Sequence, residues 1–269
     1  MSEKTVIENT TKPLNKQVLI KQLTSAGIMK TDTLLVHASL SKLGFLIGGV
    51  QSALEALLEV VSEGTLVMPT HSGDLSDPKH WENPPVPKTW QDDIRKHMPL
   101  FNPETTPTRG MGKIAQQFLC LKNSKRSNHP QVSFTAYGKI AADITKEHPL
   151  TPMFGLNSPL GKLYQRPAKI LMLGTSLAYC TAFHLSEILA GVRGPFVDGT
   201  VIETKGKPTF VSFEDFDYDD EKFATIGNDL IDKGIIRTFK TGQATSYIME
   251  VKAAVDAAAE WLRKDENHG

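Results

Sequence analysis

The chain has 269 residues, of which 40% are hydrophobic, and its 30 lysines and arginines balance 30 aspartates and glutamates. A chain of this length and composition can bury a large core, and nothing in it indicates disorder or low complexity. The balanced charge gives no overall attraction to nucleic acid or to an anionic membrane. We therefore expect a single domain over residues 1–269 with no nucleic-acid or membrane partner.

Apolar runs and cysteines indicate the compartment. The longest apolar runs, such as residues 170–173, are far shorter than a membrane span, and the polar residues 1–16 lack a signal-peptide core. We therefore expect a cytoplasmic protein. Cys120 and Cys180 lack CxxC spacing and lie in apolar surroundings, which predicts two reduced core residues.

The first half of the chain alternates helical and extended patterns. Residues 16–26 predict an amphipathic helix, residues 33–37 a strand, residues 50–61 a second helix and residues 65–69 a second strand. Residues 71–107 are rich in proline, tryptophan and charge. A long irregular excursion of this kind usually covers a site or an interface.

The second half continues the alternation. The patterns predict helices at residues 110–121, 158–164, 181–187, 220–233 and 250–264, and strands at residues 169–174 and 235–239. Residues 200–203 and 209–213 flank Lys205-Gly206-Lys207 as a hairpin. The predicted class is α/β, or α+β: a central mixed sheet with helices on both faces and a C-terminal antiparallel hairpin subdomain.

Residues 181–187 place one imidazole and one carboxylate in an apolar helix. His184 follows a buried strand and a small-residue turn, where α/β sheets present chemistry. Because Glu187 is three residues further on, it can reach His184, hold its tautomer and make it a base. A core histidine satisfied by a neighbouring carboxylate explains the pattern equally well.

Three loops have the composition of an anion-binding site, although each also suits an ordinary turn or helix cap. One follows a strand, a second places an arginine and glycines before a helix, and a third gathers donors and an aromatic ring. The candidate residues are His37, Ala38, Ser39, Leu40, Ser41, Lys42, Thr108, Arg109, Gly110, Met111, Ser127, His129 and Phe134.

Six sequence segments, in the same order along the chain, resemble those of the aminoglycoside 3-N-acetyltransferase family, whose α/β fold is distinct from that of the GNAT acetyltransferases. They are LLVHASLSKLG followed by Gly48-Gly49, LVMPTHS, TRGMG, RSNHPQVSFTAYG, FGLNSPLGKLY and ILMLGTSLAYCTAFHLSE. The resemblance covers roughly residues 12–262. Ala38 stands where the family often has serine, which removes one hydroxyl donor.

The resemblance implies acetyl transfer from acetyl-coenzyme A to an amine of an aminoglycoside, and an antibiotic-resistance activity. It implies that the three loops, near Ser39, Thr108 and Ser127, line the coenzyme channel and that His184 is the catalytic histidine, for which the helix spacing offers Glu187 as the orienting residue. We expect His184 to act as the general base for a small-molecule amine acceptor, without a metal. The sequence leaves the oligomeric state open.

An acidic run offers an acceptor-binding surface. Six carboxylates occupy residues 214–221, and we carry Glu214, Asp215 and Asp217 as candidates, whereas Asp219, Asp220 and Glu221 suit the first turn of the next helix.

Two other enzyme classes lack part of their sequence signature, and one further alternative remains. Gly174-Thr175-Ser176 lacks the closing glycine of a hydrolase elbow, and the His184-x-x-Glu187 pair lacks the further ligands of a zinc site. The remaining alternative is a coenzyme A-binding protein of the same fold that acts on a different amine or turns over little.

Overall fold

The computed structural model describes residues 2–266. The helices are α1 Glu3–Glu8, α2 Lys16–Ser25, α3 Gly49–Val60, α4 Gln91–His97, α5 Gly112–Leu119, α6 Ala141–Thr145, α7 Pro159–Tyr164, α8 Ala182–Ala190, α9 Phe223–Asp232 and α10 Val251–Glu266. The strands are β1 Thr33–Ala38, β2 Thr65–Pro69, β3 Lys125–Arg126, β4 Phe134–Gly138, β5 Lys169–Leu173, β6 Pro195–Thr204, β7 Lys207–Phe216, β8 Arg237–Thr241 and β9 Ala244–Glu250. No helix within these residues has the length and apolar character needed to cross a membrane.

Seven strands form one mixed sheet in the order β3-β4-β2-β1-β5-β9-β8. The three central strands β2, β1 and β5 are parallel, and the flanking strands pair antiparallel to them. β6 and β7 form a separate hairpin whose turn residues, Lys205 and Gly206, have φ angles of 51° and 76°. Two successive left-handed residues are typical of a type I′ turn, which matches the strand twist. The predicted mixed sheet and antiparallel hairpin are confirmed.

Helices cover both faces of the sheet because successive residues of its central strands point to opposite sides. Leu35, Val67 and Ile170 pack into the cluster that also contains the apolar faces of α8, α9 and α10. Leu34 and Leu66 pack on the other side, with α2, α3 and α5. The core therefore has two layers of helices around one sheet.

Three strands, β3, β4 and β9, differ from the sequence prediction. β9 was not predicted, because its Ala-Thr-Ser start lacks the apolar alternation of a strand, yet it pairs antiparallel with β5 in the sheet. Phe134, predicted to lie in a ligand-binding loop, is the first residue of β4 and is fully buried. In both segments, hydrogen bonding to a neighbouring central strand determines the extended structure.

The cysteines are only partly as predicted. Cys180 is buried and free, and its burial raises the pKa of the thiol to about 12. The expectation that Cys120 is a core residue is wrong, since it is exposed. It caps α5, one position beyond the buried Leu119, where the chain turns out to solvent.

Residues 71–107 contain α4 and pack on the β6–β7 hairpin. Leu75 and Met98 form a small apolar cluster with Val201 of β6. Arg95 on α4 lies 2.7 Å from Asp77, whose side chain is 4% exposed. The expectation that this segment covers a site or an interface stays a prediction.

Two buried histidines attach the chain around residue 150 to the sheet. Ser127 Oγ is 2.9 Å from Nδ1 of His148, and Nε2 of His148 is 2.8 Å from the carbonyl oxygen of Met153. His129 accepts two following backbone N–H groups on Nδ1 and donates from Nε2 to the carbonyl of Leu150 at 3.2 Å. Burial lowers the pKa of His148 to about 2 and that of His129 to about 4.

The lowered pKa values of His129 and His148 predict that the protein loses stability in acid. Because their pKa values are lower in the folded protein than the ordinary value of 6.5, the unfolded chain binds more protons as the pH falls below 6.5. Each should then lower the free energy of unfolding by about 1.4 kcal/mol per pH unit. Urea unfolding at pH 7, 6 and 5 measures this slope. His148→Gln should make the slope shallower, and an unchanged slope in that variant would contradict the assignment.

Candidate active site

A cavity with a volume of about 830 Å³ opens at the carboxyl ends of β1, β2 and β5. This volume lies in the range of small-molecule and cofactor sites, and open parallel sheets bind ligands at this edge. Its walls come from the loop after β1, the ends of α1, α3 and α5, the residues after β2, and α8.

The ends of β1 and β5 approach each other closely below the cavity. The backbone N–H of Ser39 donates to the carbonyl of Leu173 at 2.9 Å. Gly174 follows with a φ of +63°, and a Cβ at this position would lie 2.7 Å from a methyl group of Leu43. Glycine therefore allows the backbone to turn toward α8 at this point.

His184 on α8 lines the cavity and is paired with Glu187. Its Nδ1 lies 2.7 Å from Oε2 of Glu187, and its side chain is 18% exposed. Since an ionised carboxylate only accepts hydrogen bonds, this contact assigns the proton of the neutral ring to Nδ1 and leaves its Nε2 with a free lone pair. This is the arrangement of an oriented base.

Aromatic rings fix the plane of the His184 imidazole. Phe154 stacks on it with a centroid distance of 4.8 Å and an interplanar angle of 16°. Tyr218 meets it edge-on at 5.3 Å, and Phe223 lies at 4.8 Å. The contacts limit rotation of the ring about χ2.

The Glu187 side chain is completely buried and has three hydrogen-bond partners. Besides His184, Nε of Arg193 donates to its Oε1 at 2.6 Å, and the backbone N–H of Asp219 donates to the same oxygen at 3.1 Å. A buried carboxylate is tolerated only with such partners.

Two further histidines line the cavity, His37 at the end of β1 and His71 after β2. Their Nε2 atoms are buried and have no hydrogen-bond partner in the described residues. Burial lowers the pKa of His37 to about 4. Burial lowers the pKa of His71 to about 3, with a smaller contribution from His184. Both imidazoles are therefore neutral at neutral pH.

Sequence comparison places this site in a known family. Residues 35–263 match the model of the aminoglycoside 3-N-acetyltransferase family. The chain belongs to this family. It is therefore an acyltransferase of the aminoglycoside 3-N-acetyltransferase type.

Individual relatives agree with the family match. The SPbeta prophage-derived aminoglycoside N(3')-acetyltransferase-like protein YokD of Bacillus subtilis (strain 168) is 40% identical over 98% of both chains. Its crystal structure superposes with a TM-score of 0.96, covers 99% of both chains and is 39% identical. Aminoglycoside N(3)-acetyltransferase VII of Streptomyces paromomycinus is 29% identical over 98% of this chain and 96% of its own.

A third similarity concerns a solved complex. The structure described as AAC-IIIb binary with CoASH has a TM-score of 0.83 and 26% identity. It covers 94% of this chain and 98% of its own.

The structure brings part of the predicted coenzyme set to the cavity of this acetyltransferase. The predicted residues that line it are His37, Ala38, Ser39, Leu40, Ser41, Gly110 and Met111. Gly110 and Gly112 have φ angles of +73° and +80°, and a Cβ added at either position would have no atom nearer than 4.0 Å. The backbone at this edge is open to a ligand.

Other predicted coenzyme residues lie outside the lining. Lys42 ends the turn after β1 and is not part of the wall. Thr108 donates to Gln116 at 2.8 Å from its hydroxyl, and Arg109 pairs with Asp74. Ser127, His129 and Phe134 are buried in the core and hold the chain rather than face the cavity.

The predicted acidic surface is also away from the cavity. Asp215 is 5% exposed, and it accepts the N–H of Met153 at 2.8 Å and the hydroxyl of Tyr218 at 3.1 Å. Burial raises the pKa of this carboxyl. Glu214 and Asp217 are exposed but not in the lining. Asp220, which the sequence assigned to helix capping, does line the cavity.

Several site residues gave no usable signal in the sequence. His71 occurs in the phrase LVMPTHS, but nothing there marks it as a cavity residue. Phe154 opens the segment FGLNSPLGKLY and Arg193 follows Glu187 by six residues, but neither position shows by local spacing that its side chain contacts His184 or Glu187. Within residues 2–266, no three His, Cys, Asp or Glu side chains are grouped so that they could hold a metal ion.

Gly174→Ala tests the close approach of the strand ends. The φ of +63° strains any side chain by about 1–2 kcal/mol, and the contact with Leu43 adds about 1–3 kcal/mol of overpacking. Gly206→Ala is the matched control, since Gly206 has a φ of +76° and open space around it. Chemical unfolding should show a larger loss of stability for Gly174→Ala. Equal losses would show that the contact with Leu43 relaxes without cost.

Proposed function

We propose that the protein transfers the acetyl group of acetyl-coenzyme A to an amine of an aminoglycoside-like acceptor, with His184 as the general base. The observation that carries the proposal is the 2.7 Å contact between Nδ1 of His184, which lines the cavity, and the buried carboxylate of Glu187. The CoASH complex of the AAC-IIIb relative supports the donor, and the family supports the acceptor class.

The cavity wall fits a coenzyme with a long polar chain. Ser39, Ser41 and Gly110 present hydroxyl and backbone groups at one edge, and Lys113 adds a cation beside them at the start of α5. Phosphate groups favour backbone N–H groups and positive charge of this kind. When bound, the coenzyme supplies a thioester carbonyl to the acceptor amine.

The proposed chemistry at His184 consists of two proton transfers. Nε2 removes a proton from the acceptor ammonium, and the freed nitrogen lone pair forms the new C–N bond to the carbonyl carbon. The C–S bond then breaks, and the thiolate takes up the proton from Nε2. Glu187 stabilises the imidazolium between these steps and remains a carboxylate. The nitrogen of the new amide releases its second proton to solvent, so an ammonium and acetyl-coenzyme A give one amide, one free thiol and one proton.

A thiol-release assay tests the function and the base together. Acetyl-coenzyme A with an aminoglycoside should release free thiol, and His184→Ala should lower turnover by about 100-fold to 10,000-fold, the range of general-base catalysis. Calorimetry should find acetyl-coenzyme A binding nearly unchanged in that variant, and Glu187→Gln should lose less turnover.

Each other outcome of the assay has a defined meaning. Coenzyme binding without thiol release across a panel of aminoglycosides and other amines would favour a binding protein. Thiol release without any acceptor would favour a hydrolase. Normal turnover in a folded His184→Ala variant would remove the proposed base.

The acceptor side of the site is proposed to include Asp220. Its exposed carboxylate lines the same cavity as His184 and would attract a second ammonium group of a polyamine acceptor. The sequence candidates Glu214 and Asp217 lie outside the lining, so they would act only through long-range attraction.

Asp220→Asn should raise the Michaelis constant for the acceptor by about 2-fold to 10-fold, since one partly solvated ion pair is lost. The constant for acetyl-coenzyme A should not change. Glu214→Gln and Asp217→Asn should raise the Michaelis constant for the acceptor only at low salt, where charge attraction is long-ranged. Asp232→Asn, at the other end of α9, controls for net charge. An equal rise of the acceptor's Michaelis constant in Asp220→Asn and Asp232→Asn would contradict the role of Asp220.

A further inference from the structure

Arg193 connects the His184–Glu187 pair to the segment that carries Asp220. It lies two residues beyond Gly191, which ends α8, and its side chain is 17% exposed. Its Nε donates to Glu187 at 2.6 Å, while its Nη2 lies 3.3 Å from both the backbone carbonyl and Oδ2 of Asp219. One guanidinium thus contacts both the carboxylate that pairs with His184 and the residue that precedes Asp220.

The buried carboxylate of Glu187 requires a positively charged partner. Its side chain is fully buried, and taking a carboxylate out of water is costly unless an opposite charge compensates it. In the proposed mechanism, His184 cannot supply that charge before it accepts a proton, because the base is a neutral imidazole. Asp219 offers only a backbone N–H. A guanidinium keeps its charge well above neutral pH.

We propose that Arg193 is a positioning residue for acetyl transfer, which holds the Glu187 carboxylate ionised and oriented so that His184 keeps its proton on Nδ1. The inference rests on the proposed role of His184 as the base. Without the guanidinium, the buried carboxylate turns toward the Asp219 amide, and His184 loses the acceptor that fixes its tautomer.

The same contacts couple the base to the acceptor side. Oε1 of Glu187 accepts from both Arg193 and the N–H of Asp219, and Asp220 is the next residue along the chain. Loss of Arg193 therefore releases the segment that brings Asp220 to the cavity. The acceptor's Michaelis constant should rise together with the loss of turnover, whereas the constant for acetyl-coenzyme A should stay the same.

The tautomer of His184 gives a readout that does not depend on activity. In protein with ¹⁵N-labelled histidine, NMR shifts of the two ring nitrogens show which one carries the proton, and His184→Gln identifies the signal. The wild type should show a protonated Nδ1 and an unprotonated Nε2 in the neutral ring. Arg193→Met should lose this signature, and Arg193→Lys should retain it.

Arg95→Met is the matched control, because Arg95 also pairs with a buried carboxylate. Asp77 is 4% exposed, the two groups lie 2.7 Å apart, and neither residue lines the cavity. This variant should lose stability while keeping the His184 signature and the kinetic constants. If Arg193→Met does not fold in circular dichroism, Arg193→Gln keeps a donor without the charge and takes its place.

Kinetics show whether Arg193 acts through Glu187. Arg193→Met should lower kcat by about 10-fold to 100-fold, as expected for a hydrogen bond between charged groups. In a double-mutant cycle, adding Arg193→Met to Glu187→Gln should cost little more, because the two residues act as one unit. Additive losses, or an unchanged tautomer with kcat within about 2-fold of wild type, would overturn the proposal. Failure of the base role appears instead as normal turnover in His184→Ala.

Discussion

The parallel pairing of β2, β1 and β5 is the constraint on which the site depends. Parallel neighbours end at the same edge of the sheet, so His37, His71 and His184 come from distant parts of the chain to one cavity. The N–H of Ser39 bonded to Leu173, and the glycine at 174, keep the two strand ends close together. The antiparallel flanking strands complete the sheet but contribute little to the wall.

His129 and His148 lie in a different environment from His184. His129 and His148 are enclosed, bonded to backbone groups and held neutral, so they attach the segment around Phe154 to the sheet. His184 is partly open and bonded to a buried carboxylate. Since Phe154 stacks on His184, the enclosed pair also positions the ring that faces the cavity. The same residue type therefore supports the site in one place and offers a reactive nitrogen in the other.

Local sequence patterns predicted most of the frame. The helical periodicity of α2 and α3 and the apolar runs of β1, β2 and β5 were sufficient to predict these elements. A helix that is buried on one face has periodic apolar residues, and a strand that is buried on both faces has a continuous apolar run. The hairpin was predicted from its Lys205-Gly206 turn. β9 and β4 were missed, since their residues become strand only when a neighbour supplies the hydrogen bonds.

The sequence by itself determined the pairing of His184 with Glu187, because residues three apart on a helix share a face whatever surrounds them. It also determined which strand ends carry polar residues. Only the tertiary structure decided that Ser127, His129 and Phe134 lie in the core, that Asp215 is buried, that Asp220 lines the cavity, and that Arg193 joins Glu187 to Asp219. These outcomes depend on contacts between residues far apart in the chain, and such contacts leave no mark on local spacing.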